Sequence, residues 1–136
     1  MTTTYYLEEM TGNIIKAYGE IRKELGKKRY TPKIMTERFR DKLKVLEYGV
    51  NLGPGAERRL GEGTYGIGYV NFCVNDEVAV QIHRNKGGSF TSLQRTNLRT
   101  YLIDADLPVG LLFNFPQYIT PVRVENRDVF PATFLE

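Results

Sequence analysis

The sequence holds one cysteine, one histidine and no tryptophan in 136 residues. With Cys73 alone there is no internal disulfide framework and no multi-cysteine zinc site. With His83 as the sole imidazole, a zinc centre of the usual Cys/His kind is not expected either. Apolar runs are short, and none approaches the roughly 20 residues that a membrane-spanning helix needs. The opening MTTTYYLEEM reads as neither a secretory signal nor an arginine-rich transit peptide. The expectation is therefore a cytoplasmic protein with no membrane partner. The length suits one domain with one modest core, here 1–136, and not two. Hydrophobic residues make up 41% and charged residues 26%, the balance of a folded rather than a disordered chain.

The net charge of +3 is unevenly spread. Residues 1–60 carry 13 Lys/Arg against 8 Asp/Glu, whereas residues 61–136 carry 6 against 8. A basic half can mark a nucleic-acid surface, and it can equally be a solvated helix face.

Apolar residues at Leu7, Met10, Ile14, Tyr18, Ile21 and Leu25 recur at spacings of three and four. They predict one amphipathic helix over 5–25, with the preceding threonines as N-caps and Gly26 as its C-cap. Thr31-Pro32 reads as an N-cap with proline in the first turn. Met35, Phe39, Leu43 and Leu46 continue a second stripe, ended by Gly49. Residues 49–68 are glycine-rich and read as loops and bent edge strand. Residues 67–74 and 77–83 read as strands joined at Asn75-Asp76. A helix over 90–104 carries Phe90, Leu93, Leu98, Tyr101 and Leu102, and 107–115 is a second buried strand. Two buried strands with a helix between them should be parallel, joined by a right-handed crossover. The core spans about residues 5–115. The extension, 116–136, holds YITPVRV and DVFPATF around ENRD, a short hairpin whose Pro121 and Pro131 restrict it to a sheet edge.

GEGTYG, at 61–66, matches the G-x-G-x-x-G of a nucleotide loop, and VAVQIH follows it at 78–83. Context argues against a kinase. Gln81 stands where lysine should, and the 53 residues after His83 hold neither H-R-D nor D-F-G. A Rossmann site is also excluded, because the loop leads into a strand instead of opening a helix.

The order helix, helix, glycine-rich edge, strand, turn, strand, helix, strand is that of the α-β-β-β-α-β core of PD-(D/E)XK nuclease-like proteins, an α/β fold with a mixed sheet flanked by helices. Three segments carry a closer resemblance. NIIKAYGEIRKELG (13–26) resembles the first helix of the small GxxExxY family, which ends in a similar E-(V/I)-x-x-E-L-G. GYVNFCVNDEVAVQIH (68–83) is similar to its G-x-x-x-A-D-L-L-V-x-x-x-V-x-V-E-L-K hairpin. YLIDADLPVGLLFNF (101–115) is similar to its N-Y-L-x-x-x-x-L-x-x-G-L-L-(I/L)-N-F segment.

In that superfamily an Asp and a Glu-x-Lys hold Mg²⁺ or Mn²⁺, which activates water at a phosphate. The resemblance puts the Asp at Asn71, the Glu at Gln81 and the Lys at His83. The family's helical Glu falls near Thr36, with Glu37 beside it. Its last-helix Gln falls at or near Asn97, with Gln94 one turn earlier. Two amides and a mostly neutral imidazole do not supply the charge that a Mg²⁺ site needs. The implied protein is a pseudoenzyme without catalytic residues, cofactor or metal, its degenerate site made of Asn71, Gln81, His83 and Asn97 in one polar pocket. It would bind DNA or RNA without cleavage, through Lys27, Lys28, Arg29, Lys33, Arg38 and Arg40. A second reading uses the scaffold as a homodimer or for another protein partner, through its aromatic tail. A third retains Mg²⁺ or Mn²⁺ nuclease activity through Glu37, Asp76 or Glu77.

Overall fold

The computed structural model describes residues 7–26, 32–51 and 70–127. The chain forms helix α1 (Glu8–Leu25), helix α2 (Pro32–Lys44), strands β1 (Val50–Asn51), β2 (Phe72–Val74) and β3 (Val78–His83), helix α3 (Ser92–Ala105), and strands β4 (Val109–Asn114) and β5 (Val122–Glu125). The five strands form one mixed sheet in the order β1-β2-β3-β4-β5. β3 and β4 are parallel, and every other neighbouring pair is antiparallel. Among the described residues no helix is long and apolar enough to cross a membrane.

Strand alternation divides the core in two. Phe72, Val74, Val78, Val80, Val109, Leu111 and Phe113 face the apolar stripes of α1 and α2. Cys73, Ala79 and Leu112 face Leu98, Tyr101 and Leu102 of α3. The result is three layers, helices on both faces of a sheet. The α1 stripe is the expected one, with Met10, Ile14, Tyr18, Ile21 and Leu25 all buried. Its carboxylates Glu8 and Glu9 sit in the first turn and Arg22 and Lys23 in the last, each matched to the helix dipole. Gly26 closes the helix at φ 59°, where a side chain would be strained.

The end of α2 differs from expectation. Met35, Phe39 and Leu43 are buried, but Leu46 is 48% exposed. The helix stops at Lys44 because Glu47 adopts φ 64°. Its N–H then bonds Lys44 O at 2.8 Å, and that of Tyr48 bonds Leu43 O at 3.1 Å. This is a Schellman closure with a glutamate in the glycine position, so the stop precedes Gly49. In α3, Leu93 is 68% exposed rather than part of the stripe. It lies five residues before Leu98, about 140° around the helix.

The β2–β3 turn has Asn75 at φ 51° and Asp76 at φ 54°. Two consecutive left-handed residues give the type I′ turn whose twist matches a hairpin. Asn75 also accepts the Gly49 N–H through its side chain at 2.7 Å, joining the hairpin tip to β1. β5 pairs with β4 at the end of the sheet, with Pro121 just before it, in keeping with an edge strand; the limb expected opposite it, residues 128–134, lies outside the described residues, as do Thr31 and GEGTYG. The N-cap of α1 is not one of the expected threonines but Leu7, at φ 59° and without a side-chain cap hydrogen bond. Buried Asn126 donates to Leu102 O at 3.1 Å and Leu107 O at 3.0 Å, tying the end of α3 to β5.

Helix α3 sits close over Gly110. A Cβ there would lie 2.8 Å from Leu98 Cδ2 and 2.9 Å from Leu98 Cγ. Leu98 is fully buried and has no room to retreat. Gly110→Ala should therefore destabilise the protein by about 1–3 kcal/mol through overpacking, measured as a lowered midpoint in urea with an unchanged m-value.

Candidate functional site

The α3 side of the sheet changes character along β3. Ala79 faces apolar α3 residues, but Gln81 and His83, the next two positions on that side, are polar. The parallel register sets His83 beside Asn114 of β4. Gln81 and Asn114 are buried and His83 is partly buried. Buried polar groups must find partners, and these do so in a chain.

Gln81 Oε1 lies 2.9 Å from His83 Nε2. His83 Nδ1 lies 3.3 Å from Gln94 Nε2, in the first turn of α3. An amide N–H₂ can only donate, so Nδ1 is the acceptor and Nε2 carries the proton that Gln81 accepts. The imidazole is thus the neutral Nε2–H tautomer. Burial also pushes its pKa below 6.5, disfavouring the cation. Phe90 lies against it, ring centres 5.9 Å apart.

Gln94 and Asn85 pair through both amides, each contact at 2.9 Å. Gln94 Oε1 also accepts the Thr91 N–H, while Thr91 Oγ1 accepts the Gln94 N–H, both at 3.0 Å. One residue therefore closes the capping box of α3 and joins the network. The chain ends at Asn114, which accepts the Asn85 N–H at 2.7 Å and donates to Asn85 O and Gln117 O.

Asn71 is buried, and its Oδ1 accepts the Ile82 N–H at 2.7 Å. Its own N–H donates to Val80 O at 2.8 Å. The side-chain amide thus adds a rung to the β2–β3 ladder where backbone pairing stops.

Of the residues singled out in the sequence, Gln81 and His83 are joined directly, Asn71 stands on the adjoining strand, and Gln94 bridges to them from α3. Asn97 is one turn further along α3, partly buried, with no hydrogen bond to this network among the described residues. Thr36 and Glu37 belong to α2, on the other side of the sheet from Gln81 and His83. Asp76 and Glu77 lie at the hairpin turn, the opposite end of β3 from His83. Lys27, Lys28, Arg29 and the Lys33 side chain lie outside the described residues. Arg38 is 3.6 Å from Glu24, and Arg40 is exposed. Sequence reasoning missed Asn85 and Asn114; no local signal connects residues so far apart. The lone thiol, Cys73, is buried and pushed up to about 11 by desolvation, so it is no nucleophile at neutral pH.

These donors do not fit a divalent metal. The oxygens of Asn71 and Gln81 already accept hydrogen bonds, neither is charged, and hard cations require anionic or free oxygen ligands. Known families offer no further guide: no family model matches the chain, and no curated protein or solved structure is significantly similar to it.

A titration follows from the histidine. Its folded pKa lies below the unfolded value near 6.5, so the unfolded state binds the proton more readily. The stability that neutral His83 contributes is whole above pH 6.5 and is lost as pH falls below it. The stability difference between wild type and His83→Gln, followed by urea unfolding, should therefore shift in favour of the variant on acidification from about pH 7.5 to about 5.5, the range that brackets an ordinary imidazole pKa.

Proposed function

We propose that this chain is a catalytically silent PD-(D/E)XK-like module that binds nucleic acid without cutting it. The observation that carries the reading is the amide–imidazole hydrogen-bond network at Gln81 and His83. Support for the scaffold comes from the element order, with a β2–β3 hairpin followed by the β3-α3-β4 crossover. Support for silence comes from donor chemistry. At Asn71 and Gln81, the positions that take the place of the two carboxylates, the side-chain oxygen is an amide oxygen already accepting a hydrogen bond. Water activation at a phosphodiester needs a metal or an unpaired base, and the neutral imidazole has its basic nitrogen occupied by Gln94. Removing carboxylates also removes repulsion toward phosphate.

A protein-interaction role draws on one further feature. Val45 and Leu46 are 82% and 48% exposed at the end of α2, beside a groove of about 300 Å³ between α1 and α2.

Labelled duplex and single-stranded DNA should raise fluorescence anisotropy with added protein, with affinity falling steeply as salt rises. After incubation with Mn²⁺ the same DNA should run at full length on a denaturing gel, with or without chelator. Chelator-sensitive shortening would defeat the reading of Asn71 and Gln81. A flat anisotropy curve at low salt would leave the interaction module.

A further inference from the structure

The acidic half of the sequence contributes every residue of a cationic recess. A groove of about 290 Å³ runs between α3 and β5, lined by Arg95, Arg99, Arg123 and Arg127 with one acid, Glu125, and a floor of Val122 and Val124. The four arginines come from two segments separated by all of β4. Two are fixed. Arg123 Nε lies 3.2 Å from Glu125 Oε2, and its Nη1 donates to Thr11 Oγ1 at 2.9 Å. Arg127 Nη2 lies 2.7 Å from Glu125 Oε1. One carboxylate thus serves two guanidiniums. Arg95 and Arg99, one turn apart on α3, are exposed and have no acidic partner among the described residues.

We infer that this groove binds the phosphodiester backbone of a nucleic-acid strand, Arg95 and Arg99 gripping phosphates beside the prearranged Arg123 and Arg127. Among the described residues one glutamate stands among four guanidiniums, and an incoming anion relieves the repulsion between them. All four cations are arginines, whose planar fork meets phosphate oxygens two at a time. Arg95 and Arg99 are offset by about 6 Å along the helix axis, which suits a repeated anion better than a lone one. The valine floor gives sugar rings an apolar surface between phosphates. The α2 side differs: Lys42 pairs with Glu20 and Glu24, and Arg38 with Glu24.

The inference rests on the nucleic-acid reading above but is independent of the fate of Gln81 and His83. It is tested with Arg95→Glu/Arg99→Glu, both sites exposed, against Lys16→Glu at an exposed position of α1 as control, using anisotropy of a labelled single strand over a salt series. Circular dichroism and the urea midpoint establish that each variant is folded. The double variant should bind about tenfold or more weakly, and its log–log salt slope should shrink by about two, one for each phosphate that is no longer neutralised. Lys16→Glu should stay within about twofold of wild type, the change expected where no phosphate is gripped. Arg95→Lys/Arg99→Lys should fall between, keeping charge but losing the bidentate grip. Wild-type binding that survives the double reversal, or that Lys16→Glu damages equally, overturns the groove and spares the nucleic-acid reading. No wild-type binding overturns both. Displacement of the strand by polyglutamate at equal charge concentration would show a site for acidic polymers and overturn the phosphodiester assignment.

Discussion

The register of β3 on β4 is the constraint on which the rest of the structure depends. The six rungs run from Val78 opposite Val109 to His83 opposite Asn114. Parallel strands need a long crossover, and α3 supplies it, seated closely because Gly110 lies beneath Leu98. At one end of the pair both faces are apolar. At the other, His83 and Asn114 stand side by side, and the polar network at the start of α3 grows from them. Gln94 descends from the first turn of α3 onto His83, and Asn114 holds the connecting loop through Asn85. A slip of one residue would turn Gln81 and His83 into the apolar layer under α1 and α2, and expel Val80 and Ile82 from it. The alternation of β3 therefore fixes register and site position together.

Charge explains why this polar end is built of amides. A pair of carboxylates in the same place would repel one another and require a cation to be stable. Amides have no such requirement, since each can donate and accept. The neutral imidazole fits between two of them with one donor and one acceptor, both matched. Protonation would place a second N–H against an amide that is itself a donor there, a mismatch that adds to the desolvation cost. The network is thus consistent with one charge state, and that state is uncharged.

Much of the fold is legible in the sequence because it rests on periodicity and local turn chemistry. The stripes of α1 and most of α2, the Asn75-Asp76 turn, the parallel pair and the edge character of β5 all follow from such signals. Leu46 escapes its stripe because the Schellman closure puts Glu47 in a conformation normally filled by glycine, and Leu93 because it lies about 140° around the helix from Leu98. In the site, Gln81 and His83 are visible as polar residues on a buried strand, and Gln94 as a neighbour of the aligned position. Asn85, Asn114 and Asn126 are not, since their partners are fixed only by tertiary pairing. The arginine groove is hidden by averaging. Residues 61–136 carry two more acids than bases, yet four of their six cations line one groove while Asp76, Asp104 and Asp106 do not. Charge counted along a chain says little about charge on a surface.

The neutral network and the cationic groove are linked through α3. Four side-chain hydrogen bonds hold Gln94, and it also closes the cap of the helix. Its neighbour in sequence is Arg95, so the first turn that carries this arginine starts from a fixed backbone. A guanidinium offered from a fixed backbone loses less conformational freedom on binding than one offered from a fraying turn. The far end of α3 is held in the same way, by Asn126 on the carbonyls of Leu102 and Leu107, and Asn126 itself stands between Glu125 and Arg127. Both walls of the groove are therefore tied down by buried amides. The polar centre has physical work in this fold apart from any chemistry: it fixes the helix from which two of the four arginines project.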